Sequence, residues 1–414
     1  MEKRLWPGPA IHVIGMGVAG EVMLNVAAQR AIAEAQVIFG AERHFALLAN
    51  VNGELKTYPK PFSELKNVLT QYAHQRVVFL ASGDPLNYGL GQWLGRHLPS
   101  EKLIFHSNVS SIQVAFARFG IAQQHAEIIS LHGRSLHSLR ARLRANRTYA
   151  LLTDQQSQPQ HIATELVNHG FANAMLYVAE ALGTTDERLY VSQADQLLHK
   201  HSDIPHELVV VIVQTQENRG YLPEFPGIDD ACFETGDLSG RGMISKKEIR
   251  LHILNLLQPT ASDIGWDVGA GCGSVACEWA LWNPLGQVYA VEKNNTRFHY
   301  LEENRQKFGV LKNLTIRQGE APAILDELPT PNVVFVGGGG QQLSVILAYV
   351  WRRLADAGRL VVSCVTEESK AMVLNFMQDK HSQAVQISVA RSDSLAAQTV
   401  YRPQLPVSLI KAVK

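Results

Sequence analysis

Short apolar runs that close in glycine or polar turns recur along this chain at helix-length intervals. Residues 11–14 lead into Gly15-Met-Gly-Val-Ala-Gly20, and residues 263–268 lead into Gly269-Ala-Gly-Cys-Gly273. Beyond each turn, apolar residues return at helical spacing: Val22, Val26, Ala27 and Ile32 after the first, Val275, Trp279 and Ala280 after the second. Strand, glycine turn and helix thus occur twice, far apart and without shared sequence, which predicts two separate α/β domains. In the first half, 37–39, 77–80, 103–105, 126–129, 149–152, 175–178 and 208–213 read as buried strands of a parallel or mixed sheet. Turn formers crowd the middle of the chain, including Gly220, Pro223, Pro226, Gly227 and Gly240. They predict a linker over 216–241 between domains at 1–215 and 242–414. In the second half a helix is expected over 245–257, with Ser245 as N-cap and Glu248 completing a capping box. Strands are expected at 264–268, 287–291, 314–317, 332–336, 359–363, 384–390 and 407–411, the last two joined by a shorter loop. That spacing describes a doubly wound sheet with an antiparallel end.

Composition narrows the function classes. The 414 residues carry 38 Lys+Arg against 38 Asp+Glu, with 46% hydrophobic and 18% charged residues. A formal net charge of zero argues against a protein that holds nucleic acid by its overall field. The four cysteines, at 232, 272, 277 and 364, form no CxxC pair and no Cys/His array. Neither a disulfide scaffold nor a metal site is therefore expected, and a reducing compartment fits. The N-terminus lacks an apolar leader region, and no stretch approaches the roughly 18 apolar residues of a membrane helix. The expectation is a cytoplasmic protein with neither membrane nor nucleic acid as partner.

In an open α/β sheet, ligands sit beyond the carboxyl ends of the strands. Glycines at 269, 271 and 273 let backbone approach a ligand there, with Ala270 and Cys272 completing the turn. Glu292 ends the next strand, where a carboxylate can accept bonds from both ribose hydroxyls, and Gly319-Glu320-Ala321-Pro322 can flank a purine. A nicotinamide dinucleotide site shares these features but usually reads GxGxxG toward a pyrophosphate. Here an acid, Asp267, precedes the turn inside the strand, which suits S-adenosylmethionine with its cationic amino-acid end. No histidine lies near Cys272 in sequence to activate it, so it reads as a pocket-lining residue and Cys277 as helix core. The four glycines 337–340 leave room for a large planar substrate, or form a loop with no ligand. In the first half, Gly15-Met-Gly17, Ser82-Gly83-Asp84-Pro85, Ser107-Asn-Val-Ser-Ser111 and Ser130-Leu-His-Gly-Arg134 each follow a strand and outline a cleft.

Five segments of the first half carry a family resemblance: 13–17, Ala81-Ser-Gly-Asp-Pro-Leu-Asn-Tyr-Gly89, Val109-Ser-Ser111, Ser130-Leu-His-Gly-Arg134 and Leu152-Thr-Asp154. They resemble the tetrapyrrole (corrin) methylases. Gly242-Met-Ile-Ser-Lys-Lys-Glu-Ile-Arg250, Trp266-Asp-Val-Gly-Ala-Gly271, Gly319-Glu-Ala-Pro322 and the 337–340 loop resemble the decarboxylating methyltransferases of the same pathway. The whole is similar to the fused precorrin-6Y methyltransferases of cobalamin biosynthesis. The resemblance implies an N-terminal two-lobed tetrapyrrole methylase fold and a C-terminal Rossmann-like methyltransferase fold. It implies one S-adenosylmethionine per domain, a tetrapyrrole substrate and a homo-oligomer. It further implies methylation at C-5 by the first half, and methylation at C-15 with loss of the ring C acetate carboxyl by the second, giving precorrin-8. A cobalt-containing precursor is the alternative substrate, and an RNA or protein methyltransferase the alternative class.

Cofactor contacts implied in the first half are Gly17, Gly83, Asp84, Ser110, Ser111 and Asp154, with Asp84 also the best catalytic candidate. In the second they are Ser245, Gly269, Ala270, Gly271, Cys272, Gly273, Glu292, Glu320 and Ala321. Arg134, Lys246, Lys247 and Arg250 are candidate contacts to substrate carboxylates. The sequence departs from the family at Asn108, where glycine is usual, at Cys272 for threonine, at Gly339 for serine and at Asn332 for aspartate.

Overall fold

Strand β1 (Ile11–Gly15) is buried at four of its five positions, so it can only lie inside a sheet covered on both faces. Its neighbours confirm this in a computed structural model that describes residues 6–18, 24–49, 51–199, 207–217, 222–236 and 244–414. The chain divides into two compact units, one of Met1–Leu136 with Ala145–Asn218, the other of His137–Arg144 with Arg219–Lys414.

The first unit holds two sheets. In the first sheet, β1 runs parallel with β2 (Val37–Gly40), β3 (Glu54–Thr57), β4 (Val77–Ala81) and β5 (Leu103–His106), in the order β3-β2-β4-β1-β5. The second sheet has β6 (Ala126–Ser130), β7 (Thr148–Leu152), β8 (Met175–Glu180), β9 (Arg188–Gln193) and β10 (Val209–Gln214) in the order β6-β7-β10-β8-β9. There β6 and β7 are parallel and the remaining pairs antiparallel. The fully buried run in β10 is the inner strand that this placement requires. Every strand expected in this half is present, and two more exist. Both β3 and β9 are edge strands: β3 is mostly exposed and has no apolar run, whereas β9 does hold one, Leu189-Tyr190-Val191, with Leu189 and Val191 exposed.

In the second unit, β11 (Ile264–Val268), β12 (Gln287–Glu292), β13 (Leu314–Gln318), β14 (Val333–Val336) and β15 (Arg359–Cys364) are parallel. With β16 (His381–Ile387) and β19 (Val407–Val413) they form one sheet, β13-β12-β11-β14-β15-β19-β16, whose last two pairings are antiparallel. This is the doubly wound sheet with an antiparallel end. The connection before β19 is not a short loop, however. It contains a hairpin, β17 (Ala390–Leu395) and β18 (Gln398–Pro403), almost wholly exposed and therefore without an apolar signature.

Two further expectations change. The helix begins later than expected, at Lys247–Leu257, with Lys246 rather than Ser245 at the N-cap. The orphan amide of Lys247 is met by the Asp230 carboxylate at 2.9 Å, and Glu248 turns to Arg391 at 2.6 Å, so no capping box forms. Much of the expected linker is core. Leu222, Ile228 and Phe233 are buried in the same apolar cluster as Ile253, Val275 and Trp279. Arg250, completely buried, fastens this segment: it donates to Asp230 at 2.6 Å, to Glu278 at 2.9 Å and to the Ile228 carbonyl. Glu278, also fully buried, accepts from the amides of Gly227 and Ile228. Among the described residues, no helix is long and apolar enough to cross a membrane.

Candidate functional site

In the second unit the turn after β11 is built by backbone. Gly269, Gly271 and Gly273 have φ of 76°, 60° and 82°. At Gly273 the left-handed φ strains any side chain, and a Cβ would lie 2.2 Å from Leu301 Cδ1, so that buried leucine would have to shift. The amides of Gly269 and Ala270 donate to the Val291 carbonyl at 3.0 Å each, which pins the turn to the end of β12. Glu292, buried there, accepts from the Gly271 amide at 2.8 Å through Oε2 and from the Asn294 amide at 2.8 Å through Oε1. The second glycine loop closes on the first: Gly337 N–H donates to the Val268 carbonyl at 2.9 Å, and a Cβ on Gly269 would lie 3.0 Å from the Gly338 oxygen.

Beneath the turn, Asp267 is wholly buried and neither carboxylate oxygen has a hydrogen-bond partner of ordinary geometry. Burial pushes its carboxyl up to about 7, with the Ala276 amide working against the rise and Glu292 adding to it. Burial also raises the Cys272 thiol to about 11 and holds Cys277 well above its ordinary value, so neither is a nucleophile near neutral pH. Glu320 is exposed, 3.2 Å from Lys293 Nζ and 3.3 Å from Gln342 Nε2, and Ala321 packs against the core. Asn332, standing for the usual aspartate, accepts from the Ile264 amide at 3.0 Å.

One contributor escaped sequence reading. Asn304, buried on the helix Asn295–Lys307, donates to the Cys272 carbonyl at 2.9 Å and pairs with both backbone groups of Glu234. Nothing in its polar surroundings in sequence marks it. Of the proposed substrate cations, Arg250 is corrected: its guanidinium is buried and saturated by Asp230, Glu278, Ile228 and Ser245, so it holds structure and not substrate. Lys247 is ion-paired with Asp229 at 2.6 Å.

In the first unit the loops after β1, β4 and β5 converge. Gly17 and Gly83 form an isolated antiparallel bridge, with the Gly17 amide donating to the Gly83 carbonyl at 3.2 Å. A Cβ at Gly15 would lie 2.4 Å from that same oxygen, so only glycine permits the approach. Gly83 in turn lies against Ser110, which caps the helix Ser111–Phe119 through a capping box with Gln113. The Asp84 carboxylate accepts from the amides of Leu86 at 2.8 Å and Asn108 at 3.2 Å. Asn108 itself donates to the Gly15 carbonyl at 2.9 Å, joining three loops, and here the departure from glycine supplies a bond. Asp154 stands apart from this cluster, on the second sheet. It accepts from the Gly133 amide at 2.7 Å and from Ser157 and Gln156. Partial burial opposes its ionisation, but those bonds outweigh it and hold the carboxyl below its ordinary value. Arg134 is exposed and donates to the Ser130 carbonyl at 3.0 Å.

Each unit carries a glycine-lined turn at the carboxyl edge of a sheet, and sequence comparison places both units among the methyltransferases. Residues 10–198 match the family of tetrapyrrole (corrin/porphyrin) methylases, and residues 238–414 match the precorrin methyltransferase domain. A precorrin-6Y C(5,15)-methyltransferase [decarboxylating] of Sinorhizobium sp is 34% identical across 97% of this chain and 95% of its own length. The chain belongs to the family of precorrin-6Y C(5,15)-methyltransferases [decarboxylating], which are S-adenosylmethionine-dependent enzymes. A cobalt-precorrin-7 C(5)-methyltransferase of Salmonella typhimurium is 33% identical over 44% of this chain and 89% of its own length. A probable cobalt-precorrin-6B C(15)-methyltransferase (decarboxylating) of Methanothermobacter thermautotrophicus is 31% identical over 39% and 85%.

Proposed function

We propose that this chain methylates precorrin-6Y at C-5 and C-15 and removes the carboxyl of the ring C acetate, using one S-adenosylmethionine in each unit. The observation that carries this reading is the presence of an independent glycine-lined turn in each unit, within a chain alike along nearly its whole length to a two-position methyltransferase. The relatives named for the C-5 and the C-15 steps alone support a division of labour, C-5 to the first unit and C-15 with decarboxylation to the second. The two compact units, with the segment from Arg219 onward belonging to the second, divide the work in this way, within a cytoplasmic homo-oligomer that engages neither nucleic acid nor membrane.

In the second unit, the backbone of Gly269–Gly273, with Ser245, Glu292, Glu320 and Ala321, contacts the cofactor. The orphaned Asp267 carboxylate fits a cationic ligand above it, and Glu292 retains lone pairs for a ribose. In the first, the contacts are Gly17, Gly83, Asp84, Ser110, Ser111 and Asp154. Asp84 serves as a positioning residue there, because both its oxygens are engaged by amides. When bound, the cofactor supplies an electrophilic methyl group on a sulfonium. An enamine-like macrocycle brings its own nucleophilic carbon and its own electron sink for loss of CO2, so the loops mainly position it and exclude water.

Mass spectrometry of the product from precorrin-6Y and labelled methyl donor tests the reading. Two added methyl groups and the loss of one CO2 are expected, and a product with fewer methyl groups refutes it. The names of the two single-step relatives favour a second reading, a cobalt-containing substrate. Direct competition between the metal-free and cobalt forms decides between them.

A further inference from the structure

The adjacent parallel strands β2 and β4 deliver a second polar cluster to the same sheet edge that carries Gly17 and Gly83. Ser82 directly precedes Gly83, and Arg43 and His44 follow β2 by three and four residues. The Ser82 hydroxyl oxygen lies 2.9 Å from His44 Nε2 and 3.1 Å from Arg43 Nη2. His44 is buried, and its Nδ1 accepts the Ala41 amide at 3.3 Å, which places the ring proton on Nε2 facing Ser82. Burial, with Arg43 beside it, pushes His44 down to about 4 against a hydrogen bond with the Leu80 backbone, so the ring is neutral at working pH. Ser82 therefore receives two donors and keeps its own proton to give outward, while histidine as a donor cannot activate it as a nucleophile. Arg43 is exposed, and among the described residues no carboxylate pairs with it. A guanidinium and a hydroxyl donor side by side, at the rim of a cofactor loop, match the geometry of a carboxylate.

We propose that Arg43 and Ser82, oriented by His44, form a receptor for a carboxylate side chain of the tetrapyrrole in the first unit and so set the macrocycle against the C-5 methyl donor. This rests on the function proposed above. Initial rates with the full chain, precorrin-6Y and carbon-13-labelled S-adenosylmethionine, with C-5 labelling read by NMR, test it. Arg43→Ala is expected to raise KM for precorrin-6Y by about ten- to a hundredfold, as for loss of a charge-assisted bond, with kcat within about threefold. Arg43→Lys should recover much of the loss, and Ser82→Ala should raise KM about threefold. Affinity for S-adenosylmethionine should be the same in all three variants. An unchanged KM in Arg43→Ala, or an equal fall in cofactor affinity, overturns the receptor while leaving the functional reading intact. If the unaltered chain adds no methyl group to precorrin-6Y, the functional reading fails and the receptor with it.

Discussion

Glu292 holds the glycine turn of the second unit through the Gly271 amide, accepts the Asn294 amide as well and still has free lone pairs, so under the proposed function removing it acts on both the turn and the ligand. Glu292→Ala should weaken S-adenosylmethionine binding in the second unit by about 2–4 kcal/mol in a calorimetric titration, and Glu292→Gln, which keeps one acceptor oxygen, by less. Asp267 sets a pH dependence. Its carboxyl is raised to about 7 by burial, whereas an unfolded aspartate titrates near about 3.9. Between those values the folded unit binds a proton that the unfolded chain has released. Stability therefore falls as pH rises from about 4 to about 7 and levels off above. Denaturant titrations of the chain at pH 5 and pH 8 should show the second unit weaker at pH 8, and Asp267→Asn should flatten the difference. Both acids were legible in the sequence, Asp267 because it stands inside the apolar run just before the glycine turn and Glu292 because it ends the next strand. Asn304 was not, since an asparagine that bonds backbone far along the chain leaves no local pattern, and Asn108 stood out as a departure from glycine without its bond to Gly15 being legible.

At the scale of elements, apolar runs located the inner strands and missed those that bury little. Edge strand β3 and the hairpin β17–β18 carry mostly exposed residues with little apolar pattern, while β9 has the run Leu189-Tyr190-Val191 but leaves Leu189 and Val191 exposed. The capping box failed for a related reason: an aspartate 17 positions away reached the helix start before the local serine could. The glycine turns are points where one loop approaches another closely. Gly15→Ala should abolish cofactor binding by the first unit in a titration that still detects binding by the second, because the added methyl would strike the Gly83 carbonyl. Arg250→Ala should cost about 3–5 kcal/mol, read from the denaturant midpoint, since it strands Asp230 and Glu278 as buried charges.

For the whole molecule, the division into two α/β units was legible, but the segment between them was not a spacer. Turn-forming residues dominate it in sequence, yet Leu222, Ile228 and Phe233 fill the second core, spaced too irregularly to register as an element. A fragment of residues 219–414 should accordingly melt at a clearly higher temperature than one of 237–414, by differential scanning fluorimetry. The strand orders carry one more consequence, for biosynthesis. In the second sheet, β10 lies between β7 and β8, and in the third, β19 lies between β15 and β16. Each of these sheets is closed by its last-made strand, inserted into a gap its earlier neighbours must hold open. The nascent chain therefore cannot complete either sheet stepwise as it leaves the ribosome, and a stop codon at 407 would leave β16 cut off from the five strands that precede it.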